Sequence, residues 1–235
     1  MRRLIYIPII HTDSDMGSLA PALEPDTTAV CGEKRWERHK ATASRFWQIV
    51  SDFCETLDAR GLKVYQDGFA SDGASSRKMV REAARRGSKN YEIILGLLSR
   101  GAEIISTEDK ALLQEEYGYI SRIIDSETPS QRALAYKEYN LRKNQLMIAR
   151  DSFIARRINE TLADGGVGAL FIGAYHDIVP HLARDIAVRQ LKEQEKVKAY
   201  FDELMYGRDE RNFERLTRYI NSAVGASDYK LVPKN

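Results

Sequence analysis

The chain has 235 residues, 43% hydrophobic and 30% charged, and this composition is typical of a folded protein with an apolar core. Its net charge of +2 offers no electrostatic attraction to nucleic acid or to an anionic membrane, so neither is an expected partner. Two cysteines, Cys31 and Cys54, are too few for a disulfide framework and are typical of a reduced, cytoplasmic protein. We interpret the short apolar run that follows Arg3 as a buried strand rather than a signal peptide.

Four brief apolar runs, each bounded by turn or polar residues, predict the buried strands of a parallel sheet. They are residues 4–10, 62–65, 102–106 and 168–172. Segments with helical periodicity and capping signals separate them. The predicted helices are residues 36–60, 75–86, 88–100, 109–124, 131–163, 177–205 and 210–224.

Strands that alternate with long helices predict an α/β fold with a central, mostly parallel sheet of four or more strands, joined by right-handed crossovers. Long helices flank this sheet, and a helical extension follows it at the carboxyl terminus. We expect an α/β core domain over residues 1–186 and a helical extension over residues 187–235 that packs on the core.

Each predicted strand runs into a histidine or a carboxylate. His11 follows the first strand, Asp67 the second, Glu108 the third and His176 the fourth. Because ligands of open parallel sheets bind outside the carboxyl ends of the strands, we expect these side chains to form a site. His11 and His176 are its catalytic candidates, and Asp67, Glu108 and Tyr175 are candidates for contacts to the substrate.

Two carboxylates near strand ends have a simpler interpretation. Asp109 and Asp177 each stand where a helix is predicted to begin, and aspartate is a preferred helix N-cap. Ser88 is a candidate N-cap of the same kind.

The long predicted helix carries a carboxylate on its apolar stripe. Asp151 lies between Met147 and Ile154 at helical spacing, so it is expected to face inward with Arg150 beside it. A buried carboxylate needs a partner. Either Asp151 forms a structural ion pair with an arginine, or Asp151 or Arg150 reaches the site and orients a histidine. The sequence leaves both open.

Glu115 and Glu116 are adjacent on the helix after the third strand. Neighbouring helical positions diverge by about 100°, so at most one of them is expected to face the site. We take Glu115 as the candidate.

Two stretches carry a resemblance to a known family. RLIYIPIIHTD resembles the opening strand of the TraB/Tiki/erythromycin-esterase-like superfamily, which ends in GxxH, and Pro8 stands where that glycine would be. ARDSFIARRINETLADGGVGALFIGAYHDIVPHL is similar to the family's helix carrying Arg-Asp or Arg-Asn, followed by a strand that ends in Gly-Ala-x-His. On this resemblance His11 and His176 match the two family histidines, and Arg150 and Asp151 match the helix.

The resemblance implies hydrolysis of a small-molecule or peptide substrate by one of two mechanisms. In one, His11 and His176 bind a divalent metal together with one or two of Asp67, Glu108 and Glu115, and zinc, manganese or iron would suit such ligands. In the other, a histidine oriented by a carboxylate activates water, and Arg150 stabilises the developing negative charge.

Two further hypotheses compete with a hydrolase. Pro8 has no N–H and cannot approach a ligand as glycine does, which favours a non-catalytic protein that binds or senses a small molecule. The helices over residues 177–224 carry enough apolar residues for an assembly role, for example in a homodimer, or else they cover the sheet.

Overall fold

The protein is described here by a computed structural model covering residues 1–10, 30–71, 74–224 and 230–231. In these residues six strands form one sheet. They are β1 (Arg2–Ile9), β2 (Lys63–Gln66), β3 (Glu103–Ile105), β4 (Val167–Gly173), β5 (Ile186–Gln190) and β6 (Lys230–Leu231). The order across the sheet is β3-β2-β4-β1-β5-β6; β1 to β5 are parallel, and β6 is antiparallel to β5. The predicted fold class is confirmed.

Helices cover both faces of this sheet. They are α1 (Glu33–Glu55), α2 (Ala74–Arg85), α3 (Lys89–Ser99), α4 (Lys110–Ile124), α5 (Pro129–Thr161), α6 (Gln194–Met205) and α7 (Glu210–Ile220). Two predicted N-caps are confirmed, since the Ser88 side chain accepts the Tyr91 N–H and that of Asp109 accepts the Ala111 and Leu112 N–H groups. In the part of the chain described, none of the helices is both long and apolar enough to cross a membrane.

The helix predicted over residues 177–205 is wrong in its first half. A 3₁₀ turn (Val179–His181) and β5 occupy this segment, and α6 begins only at Gln194. Pro180 lacks the N–H that a continuing helix needs, and Ile186 and Val188 alternate with more polar residues, which is the period of a strand. The expected boundary between residues 186 and 187 therefore falls inside β5, which pairs with β1.

Alternate residues of β1 serve two separate cores. Ile5, Ile7 and Ile9 belong to the core that packs under α1, α3, α6 and α7. Leu4 and Tyr6 belong to the core under α5. The apolar faces of the two carboxyl-terminal helices are buried in the first core, so these helices cover the sheet.

Pro8 is tolerated in β1 because a backbone N–H at this position would lie on the β5 side of the strand, where the pairing with β5 has already ended. The Arg2 N–H donates to Asp185 O on the β5 side of β1, and the Leu191 N–H donates to Tyr6 O on that side. Even-numbered residues of β1 thus direct their backbone groups towards β5. The pairing with β5 ends at Tyr6, so Pro8 removes no hydrogen bond of that ladder.

α4 and α5 form an antiparallel helical hairpin. α5 has 33 residues and is about 50 Å long, so its first half extends past the sheet alongside α4. Arg122 of α4 pairs with Glu138 of α5 near the tip, at 3.0 Å. Because α5 then runs back over the sheet towards β4, its middle residues lie level with the carboxyl ends of the strands.

Candidate active site at the carboxyl edge of the sheet

His176 lies just beyond β4 and is held between two carboxylates. Its Nδ1 is 2.5 Å from Asp151 Oδ1, and its Nε2 is 3.2 Å from Asp67 Oδ2. The residue is only 4% exposed. Gly173, the last residue of β4, donates its N–H to the same Asp67 oxygen at 3.1 Å. A Cβ at Gly173 would lie 3.3 Å from that oxygen and 3.4 Å from the imidazole, so glycine lets the three groups meet.

Asp151 fixes both the ring of His176 and the turn that follows it. Its second oxygen, Oδ2, accepts the Asp177 N–H at 2.9 Å. A 3₁₀ turn whose N-cap is Ile178 follows Asp177 in place of the predicted helix, so the expectation that Asp177 is a helix N-cap is wrong. Of the two interpretations left open by the sequence, the contacts match the one in which Asp151 orients a histidine; its partner is an imidazole and not an arginine.

Arg150 is surrounded by three carboxylates. Its Nη2 is 2.7 Å from Asp67 Oδ1 and 2.8 Å from Glu108 Oε1, and its Nε is 3.1 Å from Glu108 Oε2. Its Nη1 is 2.6 Å from Glu116 Oε2. These bonds tie the loop after β2, the loop after β3 and α4 to one point on α5. The guanidinium thereby supplies the positive charge that three neighbouring carboxylates need.

Backbone and hydroxyl donors complete the coordination of the carboxylates. The Gly68 N–H donates to Glu108 Oε1 at 3.1 Å, and the Tyr139 hydroxyl donates to Glu116 Oε1 at 2.9 Å. Gly68 has φ 76°, a left-handed conformation that glycine adopts without strain and that turns the chain immediately after Asp67. The carboxylates of the network thus accept hydrogen bonds from donors on several elements of the fold.

The charges of this network set the protonation state of His176. Burial alone would lower the pKa of the imidazole, but the Asp67 charge and the hydrogen bonds to Asp151 and Asp67 outweigh it and raise that pKa to about 10. Burial likewise opposes ionisation of Asp67, yet His176 and Arg150 hold the Asp67 pKa well below its usual range. At neutral pH His176 is therefore an imidazolium, with a proton on each ring nitrogen.

The pKa of the Glu108 carboxyl shifts in the opposite direction from that of Asp67. Burial raises the pKa of its carboxyl, and the Asp67 charge adds to that effect, while Arg150 opposes it without cancelling it. Its side chain is fully buried, at 0% exposure. As the pH falls, Glu108 therefore takes up a proton before Asp67 does.

The structure gathers five of the predicted site residues into this cluster: Asp67, Glu108, Arg150, Asp151 and His176. His11 lies outside the described residues. The chain reaches it from Ile10, which is buried beside β4 and whose carbonyl accepts the Trp47 Nε1–H at 2.9 Å.

Two predicted residues do not join the cluster. Glu115 pairs instead with Arg142 at 2.7 Å on the outer side of the helical hairpin, so the expectation that Glu115 faces the site is wrong. Glu116, one residue on, takes that position. Tyr175 is 49% exposed and donates its hydroxyl to Asp202 on α6 at 2.7 Å, so the expected contact to a substrate in the cluster finds no support.

Sequence reasoning also missed Tyr6. Its side chain is fully buried, and its hydroxyl has no hydrogen-bond partner in the described part of the chain. Burial, with the added charges of Asp151 and Asp67, raises the Tyr6 pKa well above its ordinary value, so the hydroxyl stays protonated. A tyrosine within an otherwise aliphatic strand, on the face that meets α5, was the only available signal.

The described residues do not fit the divalent metal that the resemblance implies. Both nitrogens of His176 and the nearest oxygens of Asp67 and Glu108 are engaged with each other, with Arg150 or with backbone N–H groups. The Arg150 guanidinium takes the place that a cation would hold among these carboxylates. Within the described ranges, no group of three or more potential ligands is arranged around a metal position.

No family model, no curated protein and no solved structure matches the chain. The resemblance to the TraB/Tiki/erythromycin-esterase-like superfamily therefore rests on the two sequence motifs, and the function has to be argued from the geometry of the site.

Replacing Arg150 tests the role of the guanidinium. Arg150→Met leaves three carboxylates without a cation, and we expect it to lower the free energy of unfolding by about 3–5 kcal/mol. Arg142→Met, on the same helix, breaks only the solvent-exposed pair with Glu115 and should leave the free energy of unfolding nearly unchanged. Urea denaturation measures both. Adding Glu108→Gln to Arg150→Met should restore part of the loss; equal losses in the two single variants would contradict the account.

The raised pKa of His176 predicts how stability changes with pH. The unfolded imidazole loses its proton near pH ~6.5, whereas the folded one keeps it up to about pH 10. The contribution of His176 is therefore complete below the lower value and is lost as the pH rises to the upper one. Between them, the stability difference from His176→Gln should shrink by about 1.4 kcal/mol per pH unit.

His181→Gln is the matched control for this titration, because His181 is exposed. Its stability should follow that of the unmodified chain at every pH. Parallel stability curves for the unmodified chain and His176→Gln between about pH 7 and pH 9.5 would show that the imidazole is not held as a cation.

Proposed function

We propose that the chain is a hydrolase of the TraB/Tiki/erythromycin-esterase-like type that cleaves esters with the help of two histidines. The observation that carries the proposal is the imidazole of His176, held between Asp151 and Asp67 at the carboxyl edge of a parallel sheet. Ligands of such sheets bind at this edge. A histidine oriented by a carboxylate on one nitrogen and directed at a reaction site with the other is the arrangement that acid–base catalysis needs.

His176 is proposed to act as the general acid. Nδ1 bonds to Asp151, which sets the orientation of the ring, and Nε2 is the nitrogen left to exchange its partner Asp67 for a leaving group. While Asp67 is its partner, a pKa of about 10 keeps the proton on the imidazolium at neutral pH. Such an acid gives most help to alcohol leaving groups that are strongly basic.

His11 is proposed to act as the general base. This role rests on the sequence, where His11 comes two residues after the end of β1. β1 is the neighbour of β4, and the two strands run parallel with Ile9 opposite Gly173. Ile10 and the residues after Gly173 therefore leave the sheet at the same edge, and His11 is the next residue in the sequence.

The proposed reaction needs only water and the two imidazoles. A water oxygen forms a bond to the ester carbonyl carbon while His11 takes the water proton, and the carbonyl π bond breaks with its electron pair moving onto the carbonyl oxygen. When that pair re-forms the carbonyl, the carbon–oxygen bond to the leaving alcohol breaks, and His176 Nε2 gives that oxygen its proton. Transfer of one proton from His11 back to His176, through solvent, restores both groups and leaves a carboxylic acid and an alcohol.

Arg150 has a positioning role in this proposal and not the charge-stabilising one first considered. Its contacts to Asp67, Glu108 and Glu116 leave it little freedom to meet a substrate. Arg150 instead fixes the position of Asp67, the second partner of His176. The metal-dependent version of the reaction is not proposed, since the donors it needs are engaged.

A non-catalytic binding protein is the second candidate, and one observation favours it. His176, Asp151 and Glu108 are each less than 5% exposed, so the reactive groups are almost covered by described residues alone. In this version the network shapes and charges a binding site, and no bond is broken.

The carboxyl-terminal helices and the location of the protein in the cell are the two remaining points. The assembly role considered for the carboxyl-terminal helices is not proposed, because residues such as Val197, Tyr200 and Leu204 are already buried in the chain's own core. A cytoplasmic location is proposed on the two cysteines, which are both free thiols in the structure.

A comparison of leaving groups tests the role of His176. Ethyl and p-nitrophenyl esters of acetate, butyrate and octanoate differ in the basicity of the leaving oxygen, and hydrolysis of both series can be followed in a pH-stat. We expect His176→Gln to lower kcat/KM on the ethyl esters about 10²–10⁴-fold and to have a much smaller effect on the p-nitrophenyl esters. His11→Gln should impair both series.

The control is His181→Gln, which should match the unmodified chain on every ester. An equal loss on both series in His176→Gln would contradict the role of general acid. Absence of turnover by the unmodified chain, with saturable binding of the same esters, would favour the binding protein over the hydrolase.

A further inference from the structure

A cavity lies at the amino edge of the sheet, opposite the edge that carries His176. Its volume is about 310 Å³, which falls in the range of small-ligand pockets. The last turn of α1 and the residues just after it, with the first residues of β1 and β4, form its wall, where Phe53, Leu57 and Val167 are apolar. β4 has seven residues, so about 20 Å of strand separate this cavity from His176.

Two arginines lie at this cavity on the same face of the sheet. Arg3 is on β1, and Arg189 is opposite Ile5 on β5, so the two are diagonal neighbours on adjacent strands. Both belong to the set of residues, like Ile5, that face α1. Both arginines are exposed, and both line the same apolar recess.

Neither guanidinium has a carboxylate partner in the described ranges, 1–10, 30–71, 74–224 and 230–231. The neighbouring Arg2 shows the contrast. It forms two 2.7 Å hydrogen bonds with Asp185 and also caps the end of α5 through Asn159 O. A cationic pair without an internal counter-charge beside an apolar wall is complementary to a ligand that has an anionic head and an apolar body.

The negative end of α1 does not oppose such a ligand. Arg100 donates to the Cys54, Glu55 and Leu57 carbonyl oxygens, so the last turn of this helix is already neutralised by a cation. Asp58 is the one carboxylate that lines the cavity among the described residues, and its Oδ1 accepts the Arg60 N–H at 3.0 Å. With Arg3 and Arg189, the lining keeps a net positive charge.

We propose that this cavity binds a carboxylate with an apolar body, of about the size of a medium-chain fatty acid. The apolar body packs against Phe53, Leu57 and Val167, and the carboxylate bridges Arg3 and Arg189. The site is separate from the cluster around His176 and does not depend on the function proposed for it.

Binding of decanoate to the full chain, followed by isothermal titration calorimetry, tests this site. We expect saturable one-to-one binding, a loss of affinity of about tenfold or more in the double variant Arg3→Gln/Arg189→Gln, and weak binding of decanol, which lacks the charge. Arg81→Gln removes an exposed arginine that does not line the cavity, and it should bind decanoate as the unmodified chain does.

The methyl resonances of Leu57 and Val167 give a second measurement that does not depend on the arginine variants. These methyl resonances should shift on addition of decanoate, and the imidazole resonances of His176 should not. The proposal is overturned if decanol binds as tightly as decanoate, if the double variant keeps full affinity, or if decanoate shifts resonances elsewhere and leaves Leu57 and Val167 unchanged.

Discussion

The guanidinium of Arg150, buried among Asp67, Glu108 and Glu116, is the contact on which the candidate site depends. These carboxylates come from the loop after β2, the loop after β3 and α4, and without a cation between them their repulsion and desolvation would drive them apart. By holding Asp67 in place, Arg150 also fixes one of the two partners of His176. The loops after β2 and β3, the middle of α4 and α5 thus meet around one positive charge.

This arrangement also determines the protonation state of His176. An imidazole with a carboxylate at each nitrogen keeps both protons, so His176 is a cation that can give a proton and not a base that can take one. That state separates the two histidines of the proposed reaction into an acid and a base.

Much of this organisation could be predicted from the sequence, because the buried strands of a parallel sheet are recognisable as short apolar runs. The polar residues that follow these strands lie at one edge of the sheet. That reasoning brought Asp67, Glu108 and His176 together correctly. It failed where the outcome depends on packing. The choice between Glu115 and Glu116 is set by the rotation of α4 against α5, and the protonation of His176 is set by neighbours distant in sequence. β5 was missed because five alternating residues beside long helical patterns give too weak a periodicity.

The measurement that bears most directly on this account is nitrogen NMR of the protein labelled with ¹⁵N at histidine, at about pH 8. An ordinary histidine, with a pKa near ~6.5, is mostly neutral there and has one unprotonated nitrogen. The account predicts that both ring nitrogens of His176 carry a proton, and that Asp151→Asn lowers the pH at which the second proton is lost. A His176 ring that is neutral at this pH and titrates like an exposed histidine would contradict it.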